Sequence, residues 1–329
     1  MDTKVRLGLI GMGNQGEEYL RAQKYCQSAE ITVGYDNEPT IQKRINEQYP
    51  DIKLVQCLEQ LHAEPLDGLI LALPHHCYHD LLQNLLSFRM PILKEKPLGR
   101  NIQEAQHFIV SAKQHGCPIQ TAIQRRQHPS YIFLAEQLKD QRVIELKAHL
   151  HLGFRVEQDS PNTWRSRRQT SGGGALLDSG YHLIDLVHYL IGQFELINAC
   201  LWDGDKLIQA ESDHVESEAI LLGRQGAAWV KIESKLSGEI CVDSKTGYKK
   251  SEAIEVLTTQ NSYLANREGV WKNGESIFQC RRDWEKAIAK QMDDFSNNIV
   301  NKHWNNRLIW EQLPAMQMIE RAYGLIFTA

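Results

Sequence analysis

The chain has 329 residues, of which 42% are hydrophobic and 24% charged, and its formal net charge is -4. That length exceeds what a single hydrophobic core usually organises, so two domains are expected. The slight acidic excess lacks the electrostatic footprint of a nucleic-acid binder, and no apolar run reaches membrane-spanning length, so neither nucleic acid nor membrane is an expected partner.

Seven cysteines, Cys26, Cys57, Cys77, Cys117, Cys200, Cys241 and Cys280, are odd in number and scattered. None has the paired spacing of a zinc site or a redox disulfide, so they read as reduced thiols in a cytoplasmic protein, and no metal is expected. The opening MDTKVRLGLIGMGNQG runs into a strand-like segment without the long apolar centre or the cleavage site of a signal peptide.

Strand-like runs at residues 5–10, 31–35, 68–73, 91–93 and 118–123 alternate with helical stretches, the pattern of a parallel sheet with crossover helices. The runs are continuously apolar, as expected when helices cover both faces. Directly after the first strand comes Gly11-Met12-Gly13-Asn14-Gln15-Gly16. Glycines placed there make a tight turn and admit a pyrophosphate to a helix N-terminus. Asp36 ends the second strand, 20 residues beyond Gly16, where its carboxylate can accept bonds from the adenosine ribose. That favours NAD over NADP, because Asn37-Glu38-Pro39 offers no arginine to a 2′-phosphate. An ordinary turn residue is the other reading of Asp36. Further on, Pro74-His75-His76 and Glu95-Lys96-Pro97 follow the next two runs; Lys96 sits at a strand end, where open parallel sheets bind ligands, and Pro97 restricts it to an extended backbone.

Beyond residue 123 the pattern changes. Strand-like segments at 143–154, 194–202, 214–222, 227–234 and 253–259 follow closely, suggesting a largely antiparallel sheet. Helical segments at 284–300 and 313–326 close the chain. Trp164-Arg165-Ser166-Arg167-Arg168 leads into Gly172-Gly173-Gly174-Ala175-Leu176-Leu177-Asp178-Ser179-Gly180-Tyr181-His182. Asp178 and His182 lie four apart, on one helical face that Asp185 and Tyr189 extend. That face could simply be solvated, but it lacks the Lys, Arg and Glu that usually decorate exposed helix. The arginines could likewise bind an anion or be solvated loop charge. His149 and His151 point to one face of a strand.

Together the glycine loop, Glu95-Lys96-Pro97 and the glycine run with its Asp and His resemble the Gfo/Idh/MocA oxidoreductase family over essentially the whole chain. The resemblance implies an α/β protein: a Rossmann domain with a parallel sheet at 1–123, and an α+β domain with a large, mostly antiparallel open sheet at 124–329, serving substrate binding and oligomerisation. It implies a cis Lys96–Pro97 bond and makes Lys96, Asp178 and His182 the catalytic residues. Gly11, Gly13, Asn14, Gln15, Gly16, Asp36, Pro74, His75, His79, Glu95, Lys96 and Gln124 are expected along the cofactor. Arg126, Trp164 and Arg165 join Lys96, Asp178 and His182 around a carbohydrate-like substrate. A homodimer or homotetramer through the second sheet is expected, with Phe194, Leu196, Trp202 and Trp229 serving either that interface or the core. The expected activity is NAD-dependent hydride transfer at a sugar, cyclitol or amino-sugar hydroxyl or carbonyl. Two alternatives stand beside it: glycoside cleavage or epimerisation through transient oxidation, and an NAD-responsive regulatory protein without catalysis.

Overall fold

The protein's structure, a computed structural model, describes residues 4–152, 164–204, 206–208, 215–236, 251–280, 284–304 and 308–327. Two compact units emerge from Cα packing, one of residues 1–98, 103–127 and 284–312, the other of 99–102, 128–283 and 313–329. The first is built on β1 (Val5–Ile10), α1 (Asn14–Ala22), β2 (Ala29–Tyr35), α2 (Pro39–Gln48), β3 (Lys53–Leu54), α3 (Leu58–His62), β4 (Gly68–Leu71), α4 (Cys77–Ser87), β5 (Ile92–Glu95), α5 (Ile102–His115) and β6 (Ile119–Ala122).

Its six strands are all parallel in the order β3-β2-β1-β4-β5-β6, which reverses direction of growth between β1 and β4. This is the doubly wound dinucleotide-binding topology, and its crevice lies beyond the carboxyl ends of those two strands. Every residue of β4, β5 and β6 is buried, the polar Lys94, Glu95, Gln120 and Thr121 included, as in a parallel sheet with helices on both faces. Leu7, Leu9, Ile70 and Leu93 of the sheet pack with Tyr19 and Leu20 of α1 and with Met292 and Phe295 of the helix Trp284–Asn301. Each such aliphatic side chain stabilises the fold by roughly 1.5–3 kcal/mol.

The second unit starts with α6 (Pro129–Leu138) and β7 (Val143–His151), followed by α7 (Arg168–Ser171), a π-turn at Leu176–Gly180 and α8 (Tyr181–Ile191). Its sheet then gathers β8 (Glu195–Asp203), β9 (Lys206–Leu207), β10 (Glu218–Gln225), β11 (Ala228–Lys235), β12 (Ser251–Thr258), β13 (Ser262–Asn266), β14 (Gly269–Lys272) and β15 (Glu275–Gln279). After α9 (Trp284–Asn301) has returned to the first unit, α10 (Leu313–Phe327) closes the second. The nine strands run β15-β14-β13-β12-β7-β11-β10-β8-β9, antiparallel except for the β7–β11 pair.

The expected α/β class with a parallel and a mostly antiparallel sheet is therefore observed. The division differs from a single cut at 123/124, because residues 284–312 pack with the first unit. Along β7, Leu146, Ala148 and Leu150 are buried while His149 and His151 share the other face, their rings 5.3 Å apart. Phe194 and Leu196 belong to the core, at 6% and 2% exposure, whereas Trp229 is 46% exposed on the open face. The expected strand ends at residues 153–154 and 214 lie outside the described residues.

Candidate active site

The first unit brings the glycine loop to the crevice. Gly11 N–H donates to Tyr35 O and Ala72 N–H to Ile10 O, both at 2.9 Å, so the turn is anchored to β2 and to the chain leaving β4. A side chain at Gly16 would put its Cβ 2.1 Å from Gly11 O, so only glycine lets α1 pack this close. Around Gly13, by contrast, no atom of the described residues lies within 4 Å of the equivalent position. Open space over the second glycine, at a helix start with no side-chain cap, fits a pyrophosphate.

Asp36 is only 7% exposed, and its carboxylate accepts from Met12 N–H at 2.7 Å and from Glu38 N–H at 2.9 Å. The turn role and the position beside the loop thus coexist in one side chain. An arginine also reaches this corner: Arg44 of α2 donates to Met12 O at 3.4 Å and pairs with Glu17 at 3.3 Å. Sequence reasoning stopped at Pro39 and missed it; continuing along one face of α2 would have found it.

At the ends of β4 and β5, His75 is buried and Lys96 half-buried, with the Lys96–Pro97 bond cis. Glu95 does not project into open space. Its carboxylate accepts from Tyr19 Oη at 2.6 Å and from Gln124 Nε2 at 2.7 Å, so two expected cofactor residues are joined in a brace on α1. Burial pushes the Glu95 carboxyl up, while Tyr19 and Lys96 act against that rise. His79 is more than half exposed, with its ring nitrogen 3.7 Å from the Glu104 carboxyl of α5. Arg126 sits in the turn Gln124–Gln127.

In the second unit the glycine run is locked by a residue that sequence reasoning overlooked. Glu216, 1% exposed, accepts at one carboxylate oxygen from Gly174 N–H at 2.9 Å, Leu176 N–H at 3.0 Å and Tyr323 Oη of α10 at 2.7 Å. Its backbone oxygen accepts from Ala175 N–H at 2.8 Å. A Cβ on Gly174 would lie 1.9 Å from that same oxygen, which explains why a glycine stands there. Burial pushes the Glu216 carboxyl up, with the Tyr323 hydroxyl and the backbone donors opposing.

This brace sets the entry into the π-turn that carries Asp178, a local distortion frequent at functional sites. One turn later His182 is 8% exposed and Asp185 1%, so the solvated-face reading does not hold for them. Burial of an imidazole and a carboxylate on one helix costs free energy that needs a specific return. Arg165 lies 3.5 Å from Asp178, and its guanidinium stacks 4.3 Å from the Trp164 ring centroid. Three of the expected substrate residues are therefore brought together within this unit. Among the described residues no cluster of three His, Cys, Asp or Glu side chains forms a metal centre, and no helix is long and apolar enough to cross a membrane.

The fold and these two sets of residues define a dinucleotide-binding protein with an added α+β unit. Residues 5–123 match the oxidoreductase family with an NAD-binding Rossmann fold, and 142–264 match the GFO/IDH/MocA C-terminal domain. The chain belongs to the Gfo/Idh/MocA family. It is 31% identical over 192 residues to the rhizopine catabolism protein MocA of Rhizobium meliloti, a match covering 58% of each chain. It is 25% identical over 145 residues to levoglucosan dehydrogenase of Pseudarthrobacter phenanthrenivorans, covering 43% of this chain and 37% of that one. The matched stretches thus span about half the length of these relatives or less. In fold it is similar to the WlbA dehydrogenase of Bordetella pertussis, solved with NADH and UDP-GlcNAcA, with TM-score 0.79 and 16% identity over 99% of this chain and 96% of that one.

Proposed function

We propose that the protein is an NAD-dependent dehydrogenase or reductase that acts on a secondary hydroxyl, or its carbonyl, of a sugar, cyclitol or amino sugar. The observation that carries this reading is a dinucleotide cradle in a chain that also has an ammonium, a carboxylate and an imidazole at Lys96, Asp178 and His182, the family's three positions. A bound nicotinamide supplies the hydride acceptor in one direction and the donor in the other. His182 removes the proton from the substrate hydroxyl as the carbon–oxygen double bond forms, and Lys96 donates a hydrogen bond to the same oxygen. Asp178 orients the substrate or His182, with Arg165 and Trp164 at the edge. The sugar-like substrate is supported by the levoglucosan dehydrogenase relative.

NAD is preferred to NADP because Asp36 would face a 2′-phosphate with like charge. Arg44 is already paired with Glu17 and does little to offset that. Asp36→Ala is expected to weaken NAD binding about tenfold to a hundredfold, the worth of a charge-assisted hydrogen bond. It should also narrow the gap to NADP. Fluorescence titration with NADH and NADPH measures both, and unchanged affinities would remove the ribose role.

A homo-oligomer through the open sheet face is supported by Trp229 and Leu257, both more than 40% exposed there. The free cysteines suit the cytoplasm. The activity is tested by incubating purified protein and NAD with a panel of sugars, anhydrosugars and cyclitols and following the NADH absorbance band. Accumulation of NADH with at least one of them is expected. Substrate consumption without NADH release would replace the reading with transient oxidation.

A further inference from the structure

A lysine on a strand covered on both faces is costly, and Lys94 of β5 is fully buried. Its Nζ donates to Glu95 O at 3.0 Å and to Pro97 O at 2.7 Å. The same atom lies 3.7 Å from the centroid of the Tyr78 ring and 5.8 Å from that of Phe108. Tyr78 is itself tied down: its hydroxyl donates to Leu71 O at 3.1 Å and accepts from Leu73 N–H at 3.2 Å. One amine therefore joins the loop after β5, which carries Lys96, to the loop after β4, which carries Pro74 and His75.

Burial draws Lys94 from 10.5 down to about 7, against the pull of Glu104 on α5 and of Glu95, with Lys96 adding to the fall. The neutral amine keeps two N–H groups for the two carbonyls, so those bonds hold in either protonation state, whereas the attraction to the Tyr78 ring is strongest in the charged form. An apolar side chain would fill the sheet at lower cost. It would leave the Glu95 and Pro97 carbonyls without these donors.

We propose that Lys94 is a positioning residue: it fixes the backbone that presents Lys96 and couples that backbone, through Tyr78, to the loop after β4. The inference rests on the role proposed for Lys96. Lys94→Met keeps the length of the side chain and removes its donors. Turnover is expected to fall at least about tenfold, since small misplacements of reacting groups cost that much or more, while KM for NAD stays within about threefold. In the ligand-free variant, hydrogen exchange over residues 92–98 should rise at least about tenfold at an almost unchanged melting temperature.

Wild-type exchange over that segment, or wild-type kcat, in the folded variant would overturn the proposal. If the unmodified protein turns over no substrate, the dehydrogenase reading fails, and exchange still decides the role of Lys94. If Lys94→Met does not fold, Tyr78→Phe decides: it releases Leu71 and Leu73 but leaves the ring, so exchange over 92–98 should rise about threefold. No change there would sever the coupling.

Discussion

Lys96→Ala and His182→Ala are each expected to lower turnover about a hundredfold to ten-thousandfold, the range spanned by loss of a positioned acid or base. Dinucleotide affinity should stay within about threefold of the unmodified protein, because neither side chain builds the glycine turn. Lys96→Arg preserves charge but exchanges a compact ammonium for a planar fork, and is expected to recover less than a tenth of the lost activity. The checks are steady-state kinetics across pH and a separate NADH-binding titration. Wild-type turnover in either alanine variant refutes that residue's part, and loss of NADH binding would show that the residue serves the cradle instead.

The reading of the first sheet from sequence succeeded where burial on both faces leaves a plain signature. Runs such as Gly68-Leu69-Ile70-Leu71, too short for a helix, fit strands buried on two sides, and β4 is buried throughout. The two-residue β3 gave no such run. In the second sheet the meander β13–β15 went unread although one turn announces itself: Asn273-Gly274 joins β14 to β15 with φ of +52° and +85°, the favoured Asn-Gly hairpin. The flanking strands are polar and short, so periodicity alone passed over them. Residues 215–216 were read as strand, but Glu216 leaves the ladder and spends its carboxylate on the glycine run.

The site expected from sequence rests on motifs that the family resemblance picks out, Gly11 to Gly16, Asp36, Lys96, Asp178 and His182, whereas the residues that support them carry no motif. Lys94, Glu216 and Tyr323 look like ordinary surface or core residues in one dimension. Glu216 meets Leu176, Gly174 and Tyr323 from 40, 42 and 107 residues away in sequence, and no local pattern encodes such a meeting. Glu95, which the resemblance places along the cofactor, has its carboxylate engaged by Tyr19 and Gln124. Polar residues beside a glycine loop are as readily braces as contacts.

Glu216 should therefore prove the residue on which the second half of the site depends. Glu216→Ala leaves two backbone N–H groups and the Tyr323 hydroxyl without their acceptor, each worth about 1–3 kcal/mol when buried. A cavity is added to that loss, so destabilisation of at least about 3 kcal/mol is expected, together with loss of activity. Glu216→Gln keeps an acceptor oxygen and should recover most of both. The pH dependence separates the carboxyl from its shape. Burial raises Glu216 above 4.5, so the folded chain holds this proton more tightly than the unfolded chain. Its contribution is full below 4.5 and declines as pH rises through the raised value. Thermal unfolding of the Gln variant should lack that decline, and its advantage over the alanine variant should persist toward neutral pH. A Glu216→Ala protein that melts with the unmodified chain and turns over substrate normally would show that the glycine run holds its shape without this carboxylate.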